Sequence, residues 1–287
     1  MRNCFDVTYA KKILHLLKMI QTTRIQDPSF QTQHSGKCDL LLELLPTACH
    51  YAVLDIGQDQ LKIVGEAADF AAFAKEDVLA SFYYRKIKVA VHTSKFTYIP
   101  EDLFETAHMA SYGKFIQANE DEDVLTQVIK AAKCVVVFAV EKTVLAAVHQ
   151  GVHQPHFYHA SSPLIEAACK FNKKEEGASI ALNFNADSFD ATFLKEDKFY
   201  FHNSFPARTP DEFNYFLLQL LETLKLDTEQ TEWILSGVQQ NAWLERLSKY
   251  SNTQKKADKT AFIRISETFS NLAPEQYYLL TALSLCE

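Results

Sequence analysis

The stretch Ala178-Ser179-Ile180-Ala181-Leu182-Asn183-Phe184-Asn185-Ala186-Asp187-Ser188-Phe189-Asp190-Ala191-Thr192-Phe193-Leu194-Lys195-Glu196-Asp197-Lys198-Phe199-Tyr200-Phe201-His202-Asn203-Ser204-Phe205-Pro206 decides the reading of the fold. It holds three apolar, strand-like runs. An Asn/Asp/Ser cluster separates the first two, and Lys195-Glu196-Asp197-Lys198 separates the last two. Polar punctuation between short apolar runs marks turns, so the stretch predicts a meander of three strands. A helix follows. Thr209-Pro210-Asp211-Glu212 has the form of a capping box with proline at the first helical position. Phe213, Phe216, Leu217, Leu220, Leu221 and Leu224 then recur on one helical face.

A similar block lies near the N-terminus. Residues 39–45, 50–56 and 60–65 read as three strands, and the Ala-rich residues 67–82 read as the helix after them. The order of elements repeats with an offset of roughly one half of the chain, without evident identity between the halves. Between the blocks, the sequence predicts strands over 86–92, 97–99 and 134–140, and an extended segment at 157–159. It predicts helices over 101–110, 121–132 and 142–150. Another starts at Ser162-Pro163, with Ser162 as cap, and runs to Phe171. Beyond the second meander it predicts a strand at 232–235, a helix at 241–250, a polar loop at 251–259, a strand at 260–265 and a closing helix over 274–285.

The polar run Asn172-Lys173-Lys174-Glu175-Glu176-Gly177 marks the boundary between halves. The expected organisation is an N-terminal extension (1–37, partly helical or disordered), a first subdomain (38–172) and a second (173–287). Residues 13–20 could form an amphipathic helix in the extension, and Met19 is an alternative start to Met1. No continuous apolar core with a small-residue cleavage site marks a signal peptide there.

Composition excludes several classes. A formal charge of −7 argues against a nucleic-acid or anionic-membrane surface. No apolar run reaches the ~20 residues of a membrane span. The six cysteines are scattered without a Cys-x-x-Cys pair, as expected for buried thiols in a cytoplasmic protein. Seven glycines in 287 residues fall well below the usual ~7%, leaving little material for phosphate-cradling loops.

Two such blocks in one chain resemble the duplicated ribonuclease-H-like architecture of the actin-like ATPases. The chain also resembles, more narrowly, a Bacteroidota-restricted family of unknown function with that fold. The segments that carry this are Phe96-Thr97-Tyr98-Ile99-Pro100-Glu101-Asp102-Leu103-Phe104, Phe157-Tyr158-His159-Ala160-Ser161-Ser162-Pro163-Leu164-Ile165-Glu166 and Phe201-His202-Asn203-Ser204-Phe205 with the helix after it. The resemblance runs from Cys38 to the C-terminus. It implies an α/β protein of two ribonuclease-H-like subdomains facing a central cleft. It implies no activity, because fold does not fix function.

The superfamily places an Asp-x-Gly motif between the first two strands of each half, where the acid orders Mg²⁺ or water and the glycine admits phosphate. In the second half Asn183 stands for the acid and Asn185 for the glycine, with Asp187 and Asp190 nearby. Asn can take the left-handed backbone that glycine uses. The adenosine loop corresponds to Ser236-Gly237-Val238. The low-glycine cleft site is therefore expected from Asn183, Asn185, Asp187 and Gly237. In the first half, Asp55-Ile56-Gly57 imitates the motif; with 51–55 and 60–65 as the first two strands, a third would have to come from the Ala-rich 70–77, so the register that starts at 39–45 and puts three strands before the helix is favoured. The phosphate loop is then Leu45-Pro46-Thr47-Ala48, with neither acid nor glycine, and Asp55 and Gly57 fall in a hairpin turn away from the cleft.

Other constellations are weaker. His149, His153, His156 and His159 invite a metal reading, but Gly151 and Pro155 interrupt any shared helix and no acid or thiol lies among them, so no metal site is expected. The acidic run at 120–123 reads as a solvated helix start, and the lysines near 255 as a solvated loop. The leading expectation is a non-catalytic, actin-like scaffold or adaptor, a pseudo-ATPase that binds a protein or peptide and has no cofactor. The alternative is an ATP- and Mg-binding, weakly hydrolysing protein using that cleft. A third reading is an enzyme of another kind, with Asp190 and His202 in acid–base roles.

Overall fold

A computed structural model describes residues 24–172, 177–196, 198–238, 240–251 and 254–287. The expected helix at 13–20, the choice between Met1 and Met19, and Lys173 to Glu176 of the polar boundary lie outside the described residues.

The described residues begin with a short strand, β1 (Arg24–Gln26), and then the first meander, β2 (Cys38–Leu45), β3 (Ala48–Asp55) and β4 (Gln60–Ala67). Helix α1 (Phe70–Glu76) follows, where the Asp69 side chain accepts from the Ala72 amide at 2.7 Å. Next come β5 (Lys86–Val91), β6 (Phe96–Pro100), α2 (Met109–Phe115), β7 (Glu122–Ile129) and β8 (Cys134–Glu141). Helix α3 (Lys142–Gly151), β9 (Pro155–His159) and α4 (Ser161–Phe171) complete this part. The second meander is β10 (Ala178–Phe184), β11 (Ser188–Lys195) and β12 (Lys198–Pro206). Then come α5 (Pro210–Leu224), β13 (Glu232–Gly237), α6 (Asn241–Leu247), β14 (Gln254–Lys256) and α7 (Tyr278–Ala282).

The two large sheets repeat one topology. The first runs β1-β4-β3-β2-β5-β9 and the second β12-β11-β10-β13-β14. In each, an antiparallel meander is extended from its first strand by two parallel strands: β5 and β9 beside β2, β13 and β14 beside β10. A small sheet, β6-β8-β7, is inserted between β5 and β9.

Packing explains the pattern of each meander. One core covers one face of the first sheet with Leu40, Leu42, Tyr51, Val53, Ile63 and Val89. A second covers the other face with Leu41, Ala52, Leu54, Val64 and Ala90, sealed by α4 and α7. A strand buried on both faces reads as continuously apolar, which is why Leu40-Leu41-Leu42 does not alternate. The second sheet buries Ile180, Leu182 and Phe184 against α5 and α6. There Phe213 and Trp243 stack with ring centroids 5.2 Å apart. Its other face carries Asn183, Asp190, His202 and Ser236 and turns toward the first sheet. The capping box of α5 is formed: Glu212 N–H donates to Thr209 Oγ1 at 3.2 Å, and the Thr209 amide donates to Glu212 Oε2.

Five expectations need correction. Residues 121–132 are not a helix: 122–129 form β7, paired with β8 through a turn in which Lys133 is left-handed (φ 52°). Period-2 alternation (Gln127 and Ile129 inward, Thr126 and Val128 outward) outweighs local helix propensity once β8 offers a partner. Residues 260–265 are not a strand; they hold a 3-10 turn, bridge the sheet at Gln60–Arg264 and bury Ile263 against its face. The region 101–110 is two short 3-10 turns before α2. Helix α4 begins at Ser161, so Ser162 lies inside it rather than capping it. The closing helix is shorter than expected, with α7 followed by a 3-10 turn at Leu283–Leu285.

Candidate functional site

The two meanders bring their first turns to face one another. The first is the tight β2–β3 hairpin, with Leu45 paired to Ala48 around Pro46-Thr47. The second is the β10–β11 hairpin, closed by the Asn185 amide donating to the Ser188 carbonyl at 2.9 Å. Between them lies a cavity of about 810 Å³, also lined by Thr93 and Ser94 after β5, Ser161 at the start of α4, Gly237 and Val238 after β13, and Gln276 to Leu279 before and within α7.

All four residues expected to form a site, Asn183, Asn185, Asp187 and Gly237, line this one cavity. Asn183 is buried at the end of β10. Its Nδ2 donates to Asp190 Oδ2 at 3.2 Å, and its Oδ1 accepts from Ser236 Oγ at 2.9 Å. Asn185 Nδ2 donates to the same Asp190 oxygen at 3.2 Å. Asn185 does not adopt the left-handed backbone that would imitate glycine. Asp187 is exposed at the turn. Gly237 does use positive φ (79°), and a Cβ there would sit 2.1 Å from the Phe184 carbonyl oxygen. Its N–H donates to the Glu275 carbonyl, and the Val238 N–H to that of Phe184. Gly237 thus closes β13 against β10.

The apparent Asp-x-Gly at Asp55 and Gly57 sits in the β3–β4 turn, away from the cavity lining, where Asp55 Oδ1 accepts from the Gln58 amide at 3.2 Å. The strand register 38–45, 48–55, 60–67 requires this. Of the third reading's pair, Asp190 lines the cavity, while His202 lies behind it, bonded through Nδ1 to Thr192 Oγ1 at 2.8 Å. Burial of His202 pushes its pKa down to about 4. The four clustered histidines scatter: His149 packs on Phe157, His153 on Tyr83, and only His159 reaches the cavity.

The strongest polar group in the cavity wall went unread in the sequence. Glu43, in β2, is buried at 4% exposure. Its Oε2 accepts from His50 Nδ1 at 3.1 Å and its Oε1 from His92 Nε2 at 3.1 Å. Burial opposes the carboxylate charge, yet the two imidazoles outweigh it and bring its pKa down to about 2. Burial likewise opposes protonation of His50 and His92, and Glu43 raises both, with help from Glu66 at His50 and Asp190 at His92. A lone glutamate inside Leu40-Leu41-Leu42-Glu43-Leu44-Leu45 was the available signal. The two-residue hairpin fixes His50 opposite Glu43. Beside them, His159 Nε2–H donates to the Thr93 carbonyl (3.0 Å), so Nδ1 of the neutral ring accepts from Ser161 Oγ (2.6 Å); burial lowers its pKa to about 4.

A pair of ribonuclease-H-like sheets facing a cleft defines the actin-like ATPase fold. The chain belongs to the family described as protein of unknown function DUF3822, whose model matches residues 27–253. It is similar to a Bacteroides thetaiotaomicron protein with actin-like ATPase fold and unknown function: TM-score 0.75, 18% identity, covering 90% of this chain and 99% of that one. It is also similar to a chain of the PilM-PilN type IV pilus biogenesis complex, with TM-score 0.59, 15% identity and coverage of 86% and 97%. A further likeness is to the cytoplasmic domain of EpsL, an inner membrane component of the type II secretion system of Vibrio cholerae (TM-score 0.50, 14% identity, coverage 86% and 94%). At these identities the likeness is one of fold. A comparison with curated proteins finds no match. No helix among the described residues is long and apolar enough to cross a membrane.

Proposed function

We propose that this protein is a non-catalytic actin-like scaffold or adaptor that binds another protein or peptide, with the cleft as a degenerate nucleotide site. The observation that carries this reading is the state of the two facing turns. Pro46-Thr47 supplies neither carboxylate nor glycine. Across from it, Asn183 replaces the acid and its amide is committed to Asp190 and Ser236. The Gly237 N–H is likewise spent on Glu275. A magnesium–nucleotide complex does not fit this donor set, because free backbone N–H groups and cationic side chains are what hold phosphates. The PilM-PilN complex, a protein–protein assembly by its name, supports an assembly role for the fold.

The same reading takes residues 38–172 and 173–287 as its two subdomains, and places the protein in the bacterial cytoplasm. The Bacteroides relative and the cytoplasmic domain of EpsL support that placement. Restriction to Bacteroidota belongs to the same proposal.

The test is the melting temperature with and without millimolar Mg-ATP, Mg-ADP and EDTA. A ligand at a hundred times its Kd adds about 2.7 kcal/mol, a shift of several degrees in lobes of this size. We expect no shift. A clear shift, lost on changing Asp187 or Asp190, would instead establish the ATP-binding alternative through Asn183, Asn185, Asp187 and Gly237. That alternative draws its support from the cavity, whose 810 Å³ suits a ligand of nucleotide size.

A further inference from the structure

The charge of the cleft is one-sided. Four carboxylates line it: Glu43, Glu66, Asp187 and Asp190. Among the described residues no lysine or arginine does. Three histidines are the described lining groups that can carry positive charge, and they do not reverse the sign. With His50 and His92 both protonated, and the buried His159 neutral, the balance is still two negative charges. Low-dielectric walls focus such a field into the cavity. A polyphosphate entering it meets repulsion. A guanidinium or ammonium meets attraction.

The geometry sharpens the preference. Asp190 is held in place by two amides, from Asn183 and Asn185, so it is a fixed acceptor. Glu66 reaches His50 Nε2 only at 3.8 Å and keeps about half of its side chain in solvent, and Asp187 is exposed at the opposite lip. Tyr277 and Tyr278 add aromatic surface to the wall, and the negative face of an aromatic ring attracts a cation placed over it. The volume exceeds what one side chain fills, and it sits in the range of clefts that enclose whole ligands.

We propose that the cleft takes a lysine- or arginine-bearing segment of a partner protein, extended between Glu66 on one lobe and Asp187 and Asp190 on the other. This rests on the adaptor reading above and names the chemistry of its partner.

The experiment is fluorescence anisotropy at low ionic strength with a fluorescein-labelled peptide of about ten residues alternating arginine and glycine. A glutamate–glycine peptide and inorganic tripolyphosphate serve as comparison ligands. The variant Glu66→Gln/Asp187→Asn neutralises the two exposed carboxylates and keeps the Glu43 and Asp190 side chains with their hydrogen bonds; His50 loses only the support of Glu66 at 3.8 Å. Asp102→Asn/Asp123→Asn makes the same charge change on the surface outside the cavity. We expect the arginine peptide to bind and the two anionic ligands not to. We expect the cleft variant to lose about tenfold in affinity, as two partly exposed ion pairs are worth, and the surface variant to bind as the wild type does. Equal losses in both variants would reduce the binding to attraction by the net charge and overturn the proposal. So would failure of the arginine peptide to bind, or binding of tripolyphosphate. If the peptide fails while Mg-ATP still leaves the melting temperature unmoved, only this inference falls and the adaptor reading stands. A shift with Mg-ATP removes that reading itself.

Discussion

Glu43 Oε1 accepts from His92 Nε2 at 3.1 Å, joining β2 to the loop that follows its parallel neighbour β5, and the second oxygen of the same carboxylate holds His50 on β3. One acid thus ties three chain segments at the base of the cleft. The energetic weight of this cluster depends on pH in a way that can be worked out.

Glu43 has a lowered folded pKa, so its contribution is present above about 4.5 and is lost as pH falls toward 2. His50 and His92 have raised values. Their contribution is complete below 6.5 and is lost as pH rises through their folded values. Both terms are present together between about pH 4.5 and 6.5. Glu43→Gln is therefore expected to cost about 2–4 kcal/mol there, as breaking a buried pair does. The difference from wild type narrows on either side. Urea unfolding of both proteins from pH 4 to 9 checks this, and a pH-independent difference would contradict it.

His159 and His202 act with the opposite sign. Burial lowers both to about 4 from 6.5, so the unfolded chain takes up their protons first. Their stabilising effect is present above pH 6.5 and is lost as pH falls through the window from 6.5 to 4. Each is worth at most about 3 kcal/mol across that window. His202→Gln should flatten the acid side of the stability profile by one proton while leaving the neutral region nearly parallel to wild type. An unchanged acid slope would show that His202 is not buried as a neutral ring.

Gly237 tests the joint between β13 and β10. Its φ of 79° is one that side chains rarely adopt, and an added Cβ would overlap the Phe184 carbonyl. Gly237→Ala is expected to lose about 2 kcal/mol or more through this strain, with a fall of several degrees in Tm. A neutral outcome would mean that the loop moves freely, contrary to the Val238 N–H to Phe184 carbonyl bond of 2.8 Å.

Lys88 anchors the C-terminal turn. Buried in β5, its ammonium donates to the carbonyls of Leu283, Ser284 and Cys286, and burial lowers its pKa even though Asp39 lies 3.9 Å away. Lys88→Met removes the ammonium from all three carbonyls, leaving the Leu283 carbonyl with only the Cys286 N–H, while Asp39 keeps Arg85. We expect about 2–4 kcal/mol of destabilisation and faster amide hydrogen exchange in residues 283–286. Unchanged exchange there would show that the turn holds without the lysine.

The sequence by itself determined both meanders and their order. Polar turns between apolar runs at 178–206, and the match to three strands before the first helix, favoured a first strand at 39–45, which the structure extends to Cys38, and with it a turn for Asp55 and Gly57. It determined helix α5 as well, because capping and apolar periodicity are local and act within four residues. The grouping of Asn183, Asn185, Asp187 and Gly237 came from the resemblance to the actin-like fold, and in the structure β10 and β13 pair in parallel and end side by side.

Only the tertiary structure decided the rest. Residues 122–129 became a strand because β8 gave them a partner, and pairing energy is non-local. Residues 260–265 lost their strand because β1 already pairs with β4 at 63–65, so Arg264 meets that strand only at the Gln60 bridge. The Glu43–His50–His92 cluster was half legible: hairpin register gives Glu43 opposite His50, but His92 arrives from β5, and only sheet formation brings it to the carboxylate. The sign of the cleft was decided the same way. Thirty-six acidic and twenty-nine basic residues are spread along the chain, and no local rule says that folding gathers four of the acids and none of the described bases around one cavity.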